Sequence, residues 1–145
     1  MPEFGNASRA RLVTCRDVLK ELFTRVIKIR DCSIVCGHRP NDVQDALYAQ
    51  GRTAPGDIVT NAKAGESAHN SLPSDALDAV PYPELWSSPS AFAQLSVIVM
   101  EQWEEMTVEG LTDGWELVWG GDWDGDRDPN DTDNWDKPHW EVRPK

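Results

Sequence analysis

Across residues 8–30, Leu12, Cys15, Leu19, Leu22, Val26 and Ile29 recur at three- and four-residue intervals. That spacing lays an apolar stripe along one side of a long helix. Residues 33–36, SIVC, read as a short buried strand stopped by Gly37 and Pro40. In PNDVQDALYAQG, Asn41 is placed to cap a shorter helix, Gln44 to reach back as in a capping box, and Gly51 to end it. Residues 52–74 show no period and are rich in Gly, Ala, Ser, Thr and Asn. A connection of that length inside a compact domain tends to be functional. DALDAV, residues 75–80, predicts a strand ended by PYP. Ser88 and Pro89 form a cap and first turn for a helix through AFAQLSVIVMEQWEEM, with Phe92, Leu95, Val99, Trp103 and Met106 toward the core. WELVWGG and HWEVRP read as two further strands. Without a βαβ rhythm, an internal repeat or a linker, the pattern predicts an α+β fold. Its small antiparallel sheet is flanked by three main helices in a single domain, residues 1–145.

Length and composition agree with one core: 145 residues, 39% of them hydrophobic. The opening MPEFGNASRARLVTC holds no apolar stretch of the signal-peptide kind, and no later segment approaches the ~20 apolar residues of a membrane span. The expectation is a monomer made soluble in the cytoplasm. A formal charge of -11 argues against nucleic acid, since a phosphate binder needs a basic face. Much of that charge is local, with seven aspartates in DWDGDRDPNDTDNWD, residues 122–136. The cysteines are Cys15, Cys32 and Cys36. On a regular strand Cys32 and Cys36 share one face about 13 Å apart, too far for a disulfide, and all three read as buried thiols.

The candidate chemistry lies in two stretches. DKPHWE sets His139 between Asp136 and Glu141, and ESAHNSLPSDALD carries His69 ahead of Asp78. A catalytic zinc site takes three N or O ligands and leaves a fourth position for water. There is no HExxH, so such ligands would have to come from separate segments. Taken singly, His69 reads as a surface loop residue, Asp78 as a strand-end acid and His139 as half of a cross-strand pair. Together, SxHN, AxD and DxPHxE form a pattern that independent surface residues would not produce.

Those motifs, with the longer segments VCGHRPNDVQDALYAQGRTAPGDIVTNAKAGESAHNSLPSDALDAVPYP and WGGDWDGDRD, resemble the zinc D-alanyl-D-alanine and L-alanyl-D-glutamate peptidases of bacterial cell walls, the VanY-like family. Small phage endolysins are the nearest in kind. The resemblance covers more than half of the residues and implies the fold shared by D-Ala-D-Ala carboxypeptidases and hedgehog-like domains. It also implies that His69, Asp78 and His139 bind zinc and that Asp136 is the catalytic acid/base. Arg39 would hold a substrate carboxylate or carbonyl and Ser67 would hydrogen-bond the substrate, with His38 in the pocket wall. Strand geometry gives Glu141 a competing claim, because residues i and i+2 share a face, whereas Asp136 reaches the site only if the chain bends just before His139. Glu141 is then a partner that orients a ligand histidine. The spacing departs from the commoner family pattern, with nine residues from His69 to Asp78 and LPS between them.

Asp122, Asp124, Asp126 and Asp128 recur every second residue, followed by Asp131. This resembles half of an EF-hand loop, but Arg127 and Asp133 stand where glycine and glutamate belong. Calcium binding and a solvated loop both stay open. The implied activity is hydrolysis of peptidoglycan stem peptides at the L-Ala-D-Glu bond by a phage-type endolysin, which would reach the wall once the membrane is opened. A D-Ala-D-Ala carboxypeptidase and a non-catalytic zinc- or calcium-binding recognition module of the same fold are the rivals.

Overall fold

The apolar stripe of the first thirty residues is divided between two helices. The computed structural model describes residues 2–122 and 136–145. It places α1 at Asn6–Leu12 and α2 at Asp17–Ile27 instead of one continuous helix. The interruption has a tertiary cause. Arg16 donates its N–H to the Ser74 carbonyl at 3.0 Å, and Ser74 donates to the Thr14 carbonyl at 2.8 Å, bridging Cys15 to Ser74. Those long-range bonds take backbone groups that an unbroken helix would have used. Ile29, expected on the buried stripe, lies beyond α2 and is exposed.

The remaining elements are β1 at Cys32–Cys36, α3 at Asn41–Ala49, β2 at Ala76–Pro81, α4 at Pro89–Val108, β3 at Trp115–Trp119 and β4 at His139–Pro144. Short 3-10 turns occupy Ala68–Asn70 and Leu85–Ser87. The Ser88 hydroxyl caps α4 by accepting from the Ala91 N–H at 3.2 Å, as the sequence predicts. The capping box expected on α3 is absent. Pro40 occupies the N-cap, and Gln44 is fully buried with its side chain turned to other partners.

The four strands form one antiparallel sheet in the order β1-β2-β4-β3. The α+β class holds, with four helices among the described residues where three main ones were expected. Strand alternation gives the sheet two unlike faces. Leu77 and Ala79 of β2, and Trp140 and Val142 of β4, join the core with Leu19, Leu22, Phe23 and Val26 of α2 and Leu95, Val99 and Met106 of α4. Each large side chain removed from water there is worth about 1.5–3 kcal/mol. Trp140 is the largest fully buried residue; it stacks on Trp119 with ring centroids 5.5 Å apart and meets Phe23 edge-on. Asp78, His139 and Glu141, the residues between, face the other way. Among the described residues no helix is long and apolar enough to cross a membrane.

Candidate metal centre

Three neighbouring strands bring one row of side chains to the polar face. Cys36 pairs with Asp78 across β1 and β2, and Asp78 pairs with His139 across β2 and β4. Cys36 is there because of a bulge. Ile34 pairs with Ala79 in the core, yet Cys36, two residues on, pairs with Asp78, one residue back. The extra residue turns Cys36 away from the face shared by Cys32 and Ile34, contrary to the expectation of a regular strand. Cys32 and Cys15 are buried thiols, whereas Cys36 is only half-buried.

His69 arrives from outside the sheet, on the 3-10 turn Ala68–Asn70. Ser67 caps that turn, its hydroxyl accepting from the His69 N–H at 3.2 Å, and the Asn70 side chain accepts in return from the Ser67 N–H. The His69 carbonyl accepts from Arg39 N–H at 2.7 Å, and the Ala68 carbonyl from Asp75 N–H at 3.2 Å, so the turn is clamped between β1 and β2.

The structure thereby gathers His69, Asp78 and His139. His69 Nε2 lies 3.3 Å from Asp78 Oδ1 and 3.3 Å from His139 Nδ1, and His139 Nδ1 lies 3.4 Å from Asp78 Oδ1. A tetrahedral ion bound at 2.0–2.1 Å would space its ligands about 3.3–3.4 Å apart, so the triangle has the size zinc requires. The far sides of both rings are occupied. His69 Nδ1 lies 2.7 Å from the Gly37 carbonyl, which can only accept; Nδ1 is therefore a donor, and in the neutral ring Nε2 carries the lone pair. His139 Nε2 lies 2.8 Å from Glu141 Oε1, and Glu141 Oε2 accepts from Arg143 Nε at 2.9 Å. Each histidine thus has its outer nitrogen tied to an oxygen acceptor, the usual support for a metal-ligating imidazole.

Cys36, His69 and Asp78 form a second possible ligand group. The histidine tautomer decides between the two. Cys36 Sγ approaches His69 at Nδ1, 3.8 Å away, the nitrogen already engaged by Gly37. Nε2 with Asp78 and His139 is the better-formed site.

The charges of the metal-free cluster express the same geometry. Burial alone would lower the pKa of His69, but Asp78 and Cys36 outweigh it and push it up to about 10. Burial opposes ionisation of Asp78 too, yet the two imidazoles hold it well below the usual carboxylate range. His139 is raised against its burial by Asp78 and Glu141. Glu141, despite burial, is held down to about 2 by His139 and Arg143.

Asp136 stands at the edge of this triangle, Oδ2 4.0 Å from His139 Nδ1. The required bend exists: His139 N–H donates to the Asp136 carbonyl at 3.1 Å, closing a tight turn through Lys137 and Pro138. A side chain on Gly120 would run into that same carbonyl, so the turn packs directly on a glycine. Burial raises the pKa of Asp136. Glu141, the competing acid, lies on the opposite side of the His139 ring from the triangle.

Arg39 reaches the same cluster. Its guanidinium donates to Gln44 Oε1 at 2.9 Å and lies 3.7 Å from Asp78 Oδ2 and 3.5 Å from Cys36 Sγ. Gln44 in turn donates to the Ala62 carbonyl at 2.7 Å. Sequence reasoning missed this buried glutamine; its signal was a polar residue on the inner side of a short helix. The His38 ring engages the Ser71 carbonyl at 2.9 Å and is part-buried. Of the five candidate calcium ligands, Asp124, Asp126, Asp128 and Asp131 lie outside the described residues, and Asp122 belongs to the described part.

No protein-family model matches the chain. It is 37% identical over 116 residues to the peptidoglycan L-alanyl-D-glutamate endopeptidase CwlK of Bacillus subtilis (strain 168), across 79% of this chain and 62% of that protein. The chain therefore spans less than two thirds of that relative's length. Among solved structures, the L-Ala D-Glu endopeptidase ChiX of Serratia marcescens matches with a TM-score of 0.65 at 20% identity, covering 97% of this chain and 90% of that one.

Proposed function

We propose that this chain belongs with the L-alanyl-D-glutamate endopeptidases, one of which it resembles in sequence, and is a zinc-dependent hydrolase that cuts peptidoglycan stem peptides between L-alanine and D-glutamate. The observation that carries the reading is the triangle of His69 Nε2, Asp78 Oδ1 and His139 Nδ1, with the Asp136 carboxylate beside it.

His69, Asp78 and His139 would hold the zinc. When bound, the ion lowers the pKa of a water and polarises the scissile carbonyl. Asp136 takes the proton of the attacking water and passes it to the leaving amine; its burial, which raises its proton affinity, suits that exchange. Arg39 offers a guanidinium to a substrate carboxylate or carbonyl, held in place by Gln44. Ser67, at the head of the His69 turn, keeps its own hydroxyl hydrogen for a substrate acceptor. Glu141 and the Gly37 carbonyl keep the two imidazoles turned toward the ion.

The same reading takes residues 1–145 as one catalytic domain acting as a monomer on the wall, made in the cytoplasm of a phage-infected host and released once the membrane is opened. Calcium binding by Asp122, Asp124, Asp126, Asp128 and Asp131 is part of the same reading. Calorimetric titration with calcium tests that part, and absence of heat at millimolar ion rejects it.

The deciding experiment is mass spectrometry of purified muropeptides after digestion, paired with elemental analysis of the protein. New amino-terminal D-glutamate and about one zinc per chain are the expected results. Free D-alanine would point instead to a carboxypeptidase, and intact muropeptides with a zinc-loaded protein would defeat the hydrolase reading.

A further inference from the structure

Trp119 closes β3, and its side chain does two things. The ring stacks on Trp140 with an interplanar angle of 15°, and the indole N–H donates to the Lys137 carbonyl at 2.7 Å. Lys137 is a central residue of the turn that begins at Asp136 and ends at His139. The next residue of the hairpin, Gly120, accepts the Asp136 N–H at 3.1 Å and donates to the His139 carbonyl at 2.7 Å. One dipeptide therefore grips the turn at residues 136, 137 and 139.

Within the turn the chemistry of anchoring is restricted. Pro138 has no N–H, so the Lys137–Pro138 peptide offers the Lys137 carbonyl as its one hydrogen-bonding group. The Pro138 carbonyl accepts from Ala79 N–H at 2.9 Å in the sheet, and the Lys137 carbonyl accepts from the Trp119 indole. Rotation of the Lys137 peptide would swing the Asp136 carboxylate relative to His139. The geometry points to Trp119 as a positioning residue for the acid/base: its indole N–H holds the Lys137 peptide so that the Asp136 carboxylate stays beside the metal triangle. This rests on the hydrolase reading above and adds to it a residue that touches neither the ion nor the substrate.

The test uses the zinc-loaded full chain and Trp119→Phe, which keeps an aromatic ring against Trp140 while removing the indole N–H together with one ring of the indole. On a soluble stem peptide kcat is expected to fall about 10- to 100-fold, with KM within about twofold and zinc content unchanged. In an Asp136→Asn background the same change should alter the residual rate by less than about twofold, because Trp119 acts through Asp136. Hydrogen exchange gives a readout that needs no turnover. The amides of Asp136 and His139 should exchange at least about tenfold faster in Trp119→Phe, while those of Leu117 and Val142 keep their protection. An unchanged kcat, an equal loss in the Asp136→Asn background, or a loss that tracks zinc release would overturn the assignment. If the wild-type chain cleaves no peptidoglycan, the hydrolase reading fails by itself. Exchange then decides the positioning claim, and unaltered amides at Asp136 and His139 would reject it.

Discussion

His69 Nε2 and His139 Nδ1 lie 3.3 Å apart although 69 residues separate the two histidines in the chain. The two rings present different nitrogens to one point because their outer nitrogens are claimed differently, His69 by a backbone carbonyl and His139 by a carboxylate. Several measurable consequences come from that arrangement and its surroundings.

Asp136→Ala is expected to abolish wall lysis while leaving the zinc content intact. Asp136 borders the triangle but is not one of its corners, so removal of a positioned acid/base should lower kcat about 10²–10⁴-fold with little effect on metal affinity. Turbidity loss of wall suspensions, together with elemental analysis, checks this. Persistent lysis would assign the proton transfer to another group, and a zinc-loaded protein that never lysed walls at all would favour a recognition module.

Glu141→Gln should weaken zinc binding by about 10- to 100-fold without removing a ligand. The carboxylate holds His139 Nε2 at 2.8 Å and is itself braced by Arg143; the neutral amide is a weaker acceptor without the charge, so it holds the ring less firmly. Competition with a chromogenic chelator measures the affinity. Equal affinity in variant and wild type would mean that the charge of Glu141 plays no part in supporting His139.

In the metal-free protein the raised pKa of His69, about 10 against an ordinary 6.5, has a defined sign. The folded state binds the proton more tightly, so this contribution to stability is complete below pH 6.5 and is lost as pH rises toward about 10. Zinc binding runs the other way, since it needs the neutral imidazoles and displaces their protons. The difference in melting temperature between zinc-loaded and chelator-treated protein should therefore widen from pH 6 to pH 8. A constant or shrinking difference over that range would be inconsistent with ligation by His69.

Gln44→Leu should cost about 1–3 kcal/mol, because it leaves buried partners of the amide without their hydrogen bonds. Those partners are the Arg39 guanidinium and the Ala62 carbonyl. Urea denaturation measures the loss. The same variant should raise KM more than it lowers kcat if Arg39 holds the substrate. A stability loss with unchanged KM would separate the glutamine from binding.

Local pattern was enough for much of the fold. Ser88 and Pro89 announced α4, whose start follows from a hydroxyl cap and a residue that needs no N–H donor in the first turn. Alternation in HWEVRP predicted β4 and placed Glu141 beside His139. The stripe at residues 8–30 misled because periodicity reports which residues are buried and carries no information about the distant carbonyl of Ser74 that competes for the backbone at residue 16. Gln44 misled for a related reason: a capping box is a local option, and the side chain found buried partners across the fold.

By itself the sequence determined the class of fold, through apolar spacing and turn residues that act over a few positions, and it held the motif residues whose resemblance pointed to a zinc site. Only the tertiary structure decided the rest. It chose which nitrogen of each histidine faces inward, turned Cys36 onto the polar face through a bulge, and bent the chain at residues 136–139 to bring Asp136 beside His139. Those outcomes depend on hydrogen bonds between residues far apart in sequence, formed once three strands and one short turn have met, and no local pattern encodes them.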